Sequence, residues 1–160
     1  MTGHRFQFIS RVLGRVVGDR PPRSSCDKNA GPDVQRSTPS DFRDIPGQRP
    51  NFLGIGAAKA GTTTLARQLS GHPEISFSRK GKELHFFDEQ PITPESVAHY
   101  FSLFPSNIAV GEFTPSYLFD PKCRDQIRDV LGTETRFIAI LRNPVDRAYS
   151  HYLSCRAQLE

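Results

Sequence analysis

No apolar run in this chain approaches the ~20 residues of a membrane-crossing helix, and no short apolar core follows the first charges as in a secretory leader. Cysteine is sparse. Cys26, Cys123 and Cys155 are odd in number and widely spaced, so they cannot all pair within the chain and show no zinc-binding spacing. Free thiols in a reducing compartment follow, and these absences together predict a cytoplasmic protein. A basic body is missing too. The formal net charge is +4, yet residues 1–50 hold nine Lys and Arg against five acids, and residues 51–160 hold twelve against twelve. The excess lies wholly in the first third, which argues against nucleic acid as a partner.

That first third offers little from which to build a core. Residues 1–19 are arginine-rich, with Phe6, Ile9, Leu13 and Val16 at helical spacing. They read either as a basic amphipathic helix able to touch an anionic membrane surface or act as a transit peptide, or as a solvated tail. Residues 20–50 carry six of the thirteen prolines and no sustained periodicity, the composition of a linker. Residues 1–49 are thus expected to form a disordered, basic, proline-rich segment. Residues 50–160 are expected to form the folded unit, long enough for one sizeable core.

The stretch from Asn51 to Leu69, NFLGIGAAKAGTTTLARQL, organises that unit. Phe52, Leu53 and Ile55 suit a buried parallel strand. Gly56 to Gly61 form a small-residue turn around Lys59, and Thr62, Thr63 and Thr64 open an amphipathic helix with Leu65 and Leu69 on one face. A strand, a glycine-framed turn and a helix N-terminus make an anion cradle: the first helical N–H groups have no intrahelical partner, and the dipole favours phosphate or sulfate. An ordinary strand-to-helix turn capped by a threonine would give a similar pattern. Gly56 and Gly61 have the spacing of the nucleotide-triphosphate P-loop, but Thr62 occupies its lysine position and the lysine lies inside the loop, at Lys59.

Downstream, Gly71-His72-Pro73 reads as a glycine cap ending the helix, and Ile75 to Phe77 as a short strand. The segment RKGKELHFFD, Arg79 to Asp88, places Glu83 and His85 two apart, on one side of an extended chain. Either could take a proton from an attacking hydroxyl or amine; equally, the segment could be a surface loop pinned by Phe86 and Phe87. Thr93-Pro94 starts a helix whose Val97, Tyr100, Phe101 and Phe104 form a core stripe. Ile108 to Val110 reads as a second strand leading into GEFTPSY, which makes Glu112 and Thr114 site candidates and leaves Tyr117 as site or core. Asp120-Pro121 opens a helix ended by Gly132. Arg136 to Leu141 is the most apolar strand, followed by Asn143 as cap and Pro144 as first helical residue. Arg142, at that strand's end, suits a phosphate or an ion pair with Asp146, and Ser150 lies about two turns into the helix.

GAAKAGTTTL, KELHFFD and LRNPVDRAYSHY, in that order, resemble the sulfotransferases that use 3′-phosphoadenosine 5′-phosphosulfate (PAPS), most closely the heparan sulfate branch and its bacterial relatives. The resemblance covers about residues 51–160. It implies an α/β, P-loop-like three-layer fold with a central parallel sheet flanked by helices, present here as the N-terminal part of the domain, because the chain ends inside the helix after the third strand. It implies Lys59, Ala60, Gly61, Thr62 and Thr63 at the 5′-phosphosulfate, and Arg142 and Ser150 at the 3′-phosphate. Glu83 would be the catalytic base, with Lys59 at the leaving group and His85 and Asp88 in support. The implied reaction is in-line transfer of a sulfuryl group to a hydroxyl or amine of a glycan or small-molecule acceptor, with no metal. Phe113 stands where the heparan 3-O-sulfotransferases carry a lysine, which departs from a heparan-like acceptor site. A non-catalytic module binding the nucleotide, or a P-loop phosphotransferase, are the competing readings.

Overall fold

The computed structural model describes residues 42–158; the expectations for residues 1–41, Cys26 included, lie outside the described residues. The elements run β1 (Phe52–Gly56), α1 (Thr62–Leu69), β2 (Ile75–Phe77), α2 (Phe86–Glu89), α3 (Pro94–Ser102), β3 (Ala109–Phe113), α4 (Pro121–Leu131), β4 (Arg136–Ala139) and α5 (Pro144–Arg156), with a 3₁₀ turn at Pro115–Leu118. The four strands form one parallel sheet in the order β2-β3-β1-β4. Leu53 pairs with Glu112 on one side and with Phe137 on the other.

Alternation along the strands separates two cores. Phe52 and Phe113 face α1, where they meet Ala66, Leu65 and Leu69 together with Phe77 and Ile138. Leu53 and Val110 face the other way, into a larger cluster with Phe86 and Phe87 of α2, Tyr100 and Phe101 of α3, and Ile127 and Val130 of α4. Phe86 lies flat on Tyr100, ring centroids 4.2 Å apart. The α/β architecture, a central parallel sheet with helices on its faces, is the one the sequence predicts. Gly54 is dictated by packing: a Cβ there would fall 1.9 Å from the Phe113 ring, so the strand must be bare for the aromatic to cross it.

The capping chemistry follows the sequence at most ends. Thr93 and Ser96 form a reciprocal capping box at α3, and the Asp120 side chain accepts from Lys122 N at α4. Gly132 ends α4 at φ 83°. At α1, however, Ser70 rather than Gly71 is the cap, and it is right-handed. Packing also reaches upstream of residue 50. Phe42 is buried in the larger core, and the Arg49 guanidinium donates to the carbonyls of Phe42, Arg43 and Val130 while its carbon lies 4.9 Å from the Phe101 ring centre.

β4, the most apolar strand by sequence, is the most exposed in the fold: Phe137 is 55% exposed and Leu141, just after it, 80%. It lies at the sheet edge, and the α5 face beyond it shows Val145, Tyr149 and Tyr152 to solvent. Among the described residues no helix is long and apolar enough to cross a membrane. From β1 the chain passes through α1 towards β2, beyond β3; from β3 it returns through α4 to β4, on β1's opposite side. Such a reversal opens a crevice at the carboxyl ends of the strands, where α/β sheets hold ligands.

Candidate functional site

The loop after β1 is built to leave a helix end open. The N-cap of α1 is Gly61, at φ 105°, not a threonine, and no side chain caps the helix. The first intrahelical bond is Leu65 N to Gly61 O, 3.1 Å. Above Gly61 a Cβ would meet nothing within 4 Å. An uncapped N-terminus facing open space, in a cavity that Lys59 also lines, suits a phosphate or sulfate group, and it sets aside the ordinary threonine-capped turn. Lys59 itself sits in left-handed backbone, φ 64°, uncommon for a residue with a Cβ and characteristic of functional turns.

Facing this cradle is the segment before α2. His85, at φ 51°, begins that helix, so the extended run expected from Glu83 to His85 is broken by a left-handed residue. The side chains still converge. His85 Nε2 lies 3.6 Å from Glu83 Oε2, and His85 Nδ1 lies 3.0 Å from Asp88 Oδ2 and 3.4 Å from Glu89 Oε1. Burial pulls the His85 pKa down, but the hydrogen bond and charge of Asp88, joined by Glu89 and Glu83, outweigh it and hold the imidazole above its ordinary value. Ser116 Oγ also donates to Asp88 Oδ2, while Asp88 Oδ1 is buried without a hydrogen-bond partner. His85, Asp88 and Glu89 offer ligand atoms within 4.8 Å of one another, the one grouping among the described residues with the proximity a metal ion needs.

Glu112, Thr114 and Tyr117 hold this segment from beneath. The Glu112 carboxylate is fully buried and accepts from Tyr100 Oη (2.8 Å), Tyr117 Oη (3.1 Å), Thr114 Oγ1 (2.6 Å) and Leu84 N (3.0 Å). Burial raises its pKa, and the four hydrogen bonds partly reverse that. Thr114 Oγ1 also accepts from the N–H groups of Leu84 and His85, and Tyr117 Oη from those of Phe86 and Phe87. Glu112 and Thr114 therefore act one layer below the site they were expected to line, and Tyr117 is a core residue that caps α2. The Cys123 thiol lies behind α2, donating to Phe87 O and pushed up to about 11 by burial; both it and Cys155 are free.

One cavity of about 580 Å³ gathers most of the sequence-predicted residues: Lys59, Gly61, Thr62, Thr63, Glu83, His85 and Ser150 all line it. Ala60, within the same loop, is buried. Arg142 turns towards the loop, its Nη1 donating to Lys59 O at 3.2 Å, while Asn143 caps α5 through Val145 N. Lys82, Ser116, Phe119 and His151, none of them a site candidate by sequence, share the lining. By sequence, Arg79, Lys80 and Lys82 beside Glu83 read either as charges that steer an anionic sugar or as solvated loop charges, and nothing in the spacing of the others marked them.

No protein-family model matches this chain. The chain is 36% identical over 112 residues to heparan sulfate glucosamine 3-O-sulfotransferase 6 of Homo sapiens, a match taking in 67% of this chain and 31% of that protein. It is 35% identical over 107 residues to the membrane-associated sulfotransferase kil1 of Dictyostelium discoideum, across 64% of this chain and 22% of that one. In structure it matches a sulfotransferase from Alicyclobacillus acidocaldarius with a TM-score of 0.60 and 34% identity, covering 70% of this chain and 52% of the other. The chain is related to the sulfotransferases. This sulfotransferase relative spans less than a third of the length of the two curated proteins and about half of the solved one.

Proposed function

We propose that the chain binds PAPS in the crevice above β1 and carries the donor side of a sulfuryl transfer to a hydroxyl or amine, on a carbohydrate acceptor. The observation that carries this reading is the single cavity uniting the uncapped α1 terminus with Glu83 and Ser150. The kinship with proteins named for heparan sulfate supports the acceptor class. When bound, PAPS supplies an activated sulfuryl group, which passes to the acceptor as adenosine 3′,5′-bisphosphate departs.

The chain's own residues divide the work. Lys59 and the N–H groups of α1 hold the 5′ end and stabilise charge growing on the leaving phosphate oxygen. Arg142 and Ser150 grip the 3′-phosphate, Arg142 through its fork of donors. Glu83 accepts the acceptor's proton. His85, tied to Asp88, orients Glu83. With donor and acceptor held in one crevice, proximity supplies much of the remainder. The sites are the ones the family motifs imply, carried over to these positions.

Calorimetric titration with adenosine 3′,5′-bisphosphate in the absence of magnesium tests the donor site. The parent chain binds, and Lys59→Ala and Arg142→Ala each weaken binding at least tenfold; unchanged affinity in both variants removes the assignment. Transfer of radiolabelled sulfate to a glycan acceptor separates a working transferase from a module that only binds the nucleotide. Where transfer is seen, Glu83→Gln abolishes it and leaves donor binding intact.

A further inference from the structure

On the sulfuryl-transfer reading above, we infer that Lys82 is a second catalytic cation: its ammonium contacts the oxygens of the transferring sulfuryl group. Lys82 Nζ lies 3.1 Å from Thr63 Oγ1 and 3.4 Å from Thr62 Oγ1, at the first turn of α1, and its third partner is Glu83 Oε1. The ammonium has three N–H donors, and these three oxygens can use them all. Two belong to the phosphosulfate cradle and one to the base. Lys82 is thus the one described side chain bonded at once to the donor cradle and to the base.

Position and chemistry agree. In an in-line displacement the sulfur lies between the leaving oxygen, held at α1, and the attacking oxygen, whose proton goes to Glu83. A group touching both Thr63 and Glu83 stands beside that line. The sulfuryl oxygens spread outward from it in all directions, which suits a compact point charge better than a planar fork. Threonine hydroxyls are weak acceptors for a cation, and an anionic oxygen displaces them with gain.

The backbone is fixed for the purpose. Lys82 O accepts from Phe113 N at 2.9 Å, so the residue is pinned to the end of β3, and the next amide but one is held by Glu112 and Thr114. Its side chain is only 22% exposed. A solvated loop lysine would have neither restraint. Lys82 and Lys59 therefore have separate duties, Lys59 at the leaving phosphate and Lys82 at the group in transit.

Two ligands that differ only by the sulfuryl group make the test: PAPS and adenosine 3′,5′-bisphosphate, titrated calorimetrically into the full chain, Lys82→Met, Lys82→Gln and Lys59→Ala. For both Lys82 variants we expect PAPS affinity to fall at least tenfold while bisphosphate affinity changes less than threefold. Lys59→Ala loses both. Equal losses of the two ligands in the Lys82 variants would place Lys82 at the 5′-phosphate and overturn the inference; so would unchanged PAPS affinity. A parent chain that binds neither ligand overturns the donor-site reading itself, and the inference with it. Melting temperatures within a few degrees of the parent establish that the variants are folded.

Discussion

Lys59 and His85 are the only non-glycine residues in left-handed backbone among those described, and both line the cavity. Such a conformation costs on the order of 1 kcal/mol for a residue with a Cβ, so stability has been given up at two points to aim an ammonium and an imidazole. Lys59→Gly is therefore expected to raise the unfolding free energy by up to about 1 kcal/mol in urea denaturation while donor binding is lost. His85 carries a pH signature. Its pKa is raised in the fold, with Asp88, Glu89 and Glu83 outweighing its burial, above an unfolded value of about 6.5. A raised folded value means the stabilisation is fully present below pH ~6.5 and is lost as pH climbs through the folded value. The melting-temperature advantage of the parent over His85→Asn, which tolerates the same backbone, should shrink between pH 6 and pH 8.5. Glu83, Lys59 and Arg142 were marked as candidates in the sequence because each sits in a motif of fixed spacing. The placing of Lys82 against Thr62 and Thr63 was not legible there, since it depends on how the segment after β2 folds back over α1, a tertiary fact with no local signal.

The elements were read more easily than their surroundings. Strand and helix positions follow from apolar periodicity and from Thr93, Asp120 and Asn143 as caps, all of which receive backbone N–H groups in the fold. Thr93→Ala should cost about 1 kcal/mol, measured by chemical denaturation. β4 shows where pattern reading stops: RFIAIL predicts a buried strand, but burial needs a neighbour, and β4 occupies an edge. Ile108 likewise reads as the start of β3, yet it lies one residue before the strand and is 69% exposed. The bare position at Gly54 gives a sharper test. Gly54→Ala drives a methyl into the Phe113 ring and should destabilise by about 1–3 kcal/mol. Adding Phe113→Leu should recover part of that loss, so the double variant is less destabilised than the sum of the two single changes.

At the scale of the molecule, the parallel sheet brings the loops after β1, β2, β3 and β4 to one end, and the larger core packs α2, α3 and α4 against one face of that sheet. The buried Glu112 ties the two together: the carboxylate that accepts from Tyr100 in the core also accepts from Leu84, next to Glu83. Upstream, Phe42 closes the same core, and Phe42→Ala should cost about 3 kcal/mol or more in denaturation. The exposed β4 edge has a consequence for how this chain behaves in a tube. Among the described residues no strand lies beyond β4, and an edge strand with an outward phenylalanine is a template for another strand, a route to self-association. A single charge at that edge, Phe137→Lys, should raise the concentration at which light scattering first climbs, with little change in melting temperature.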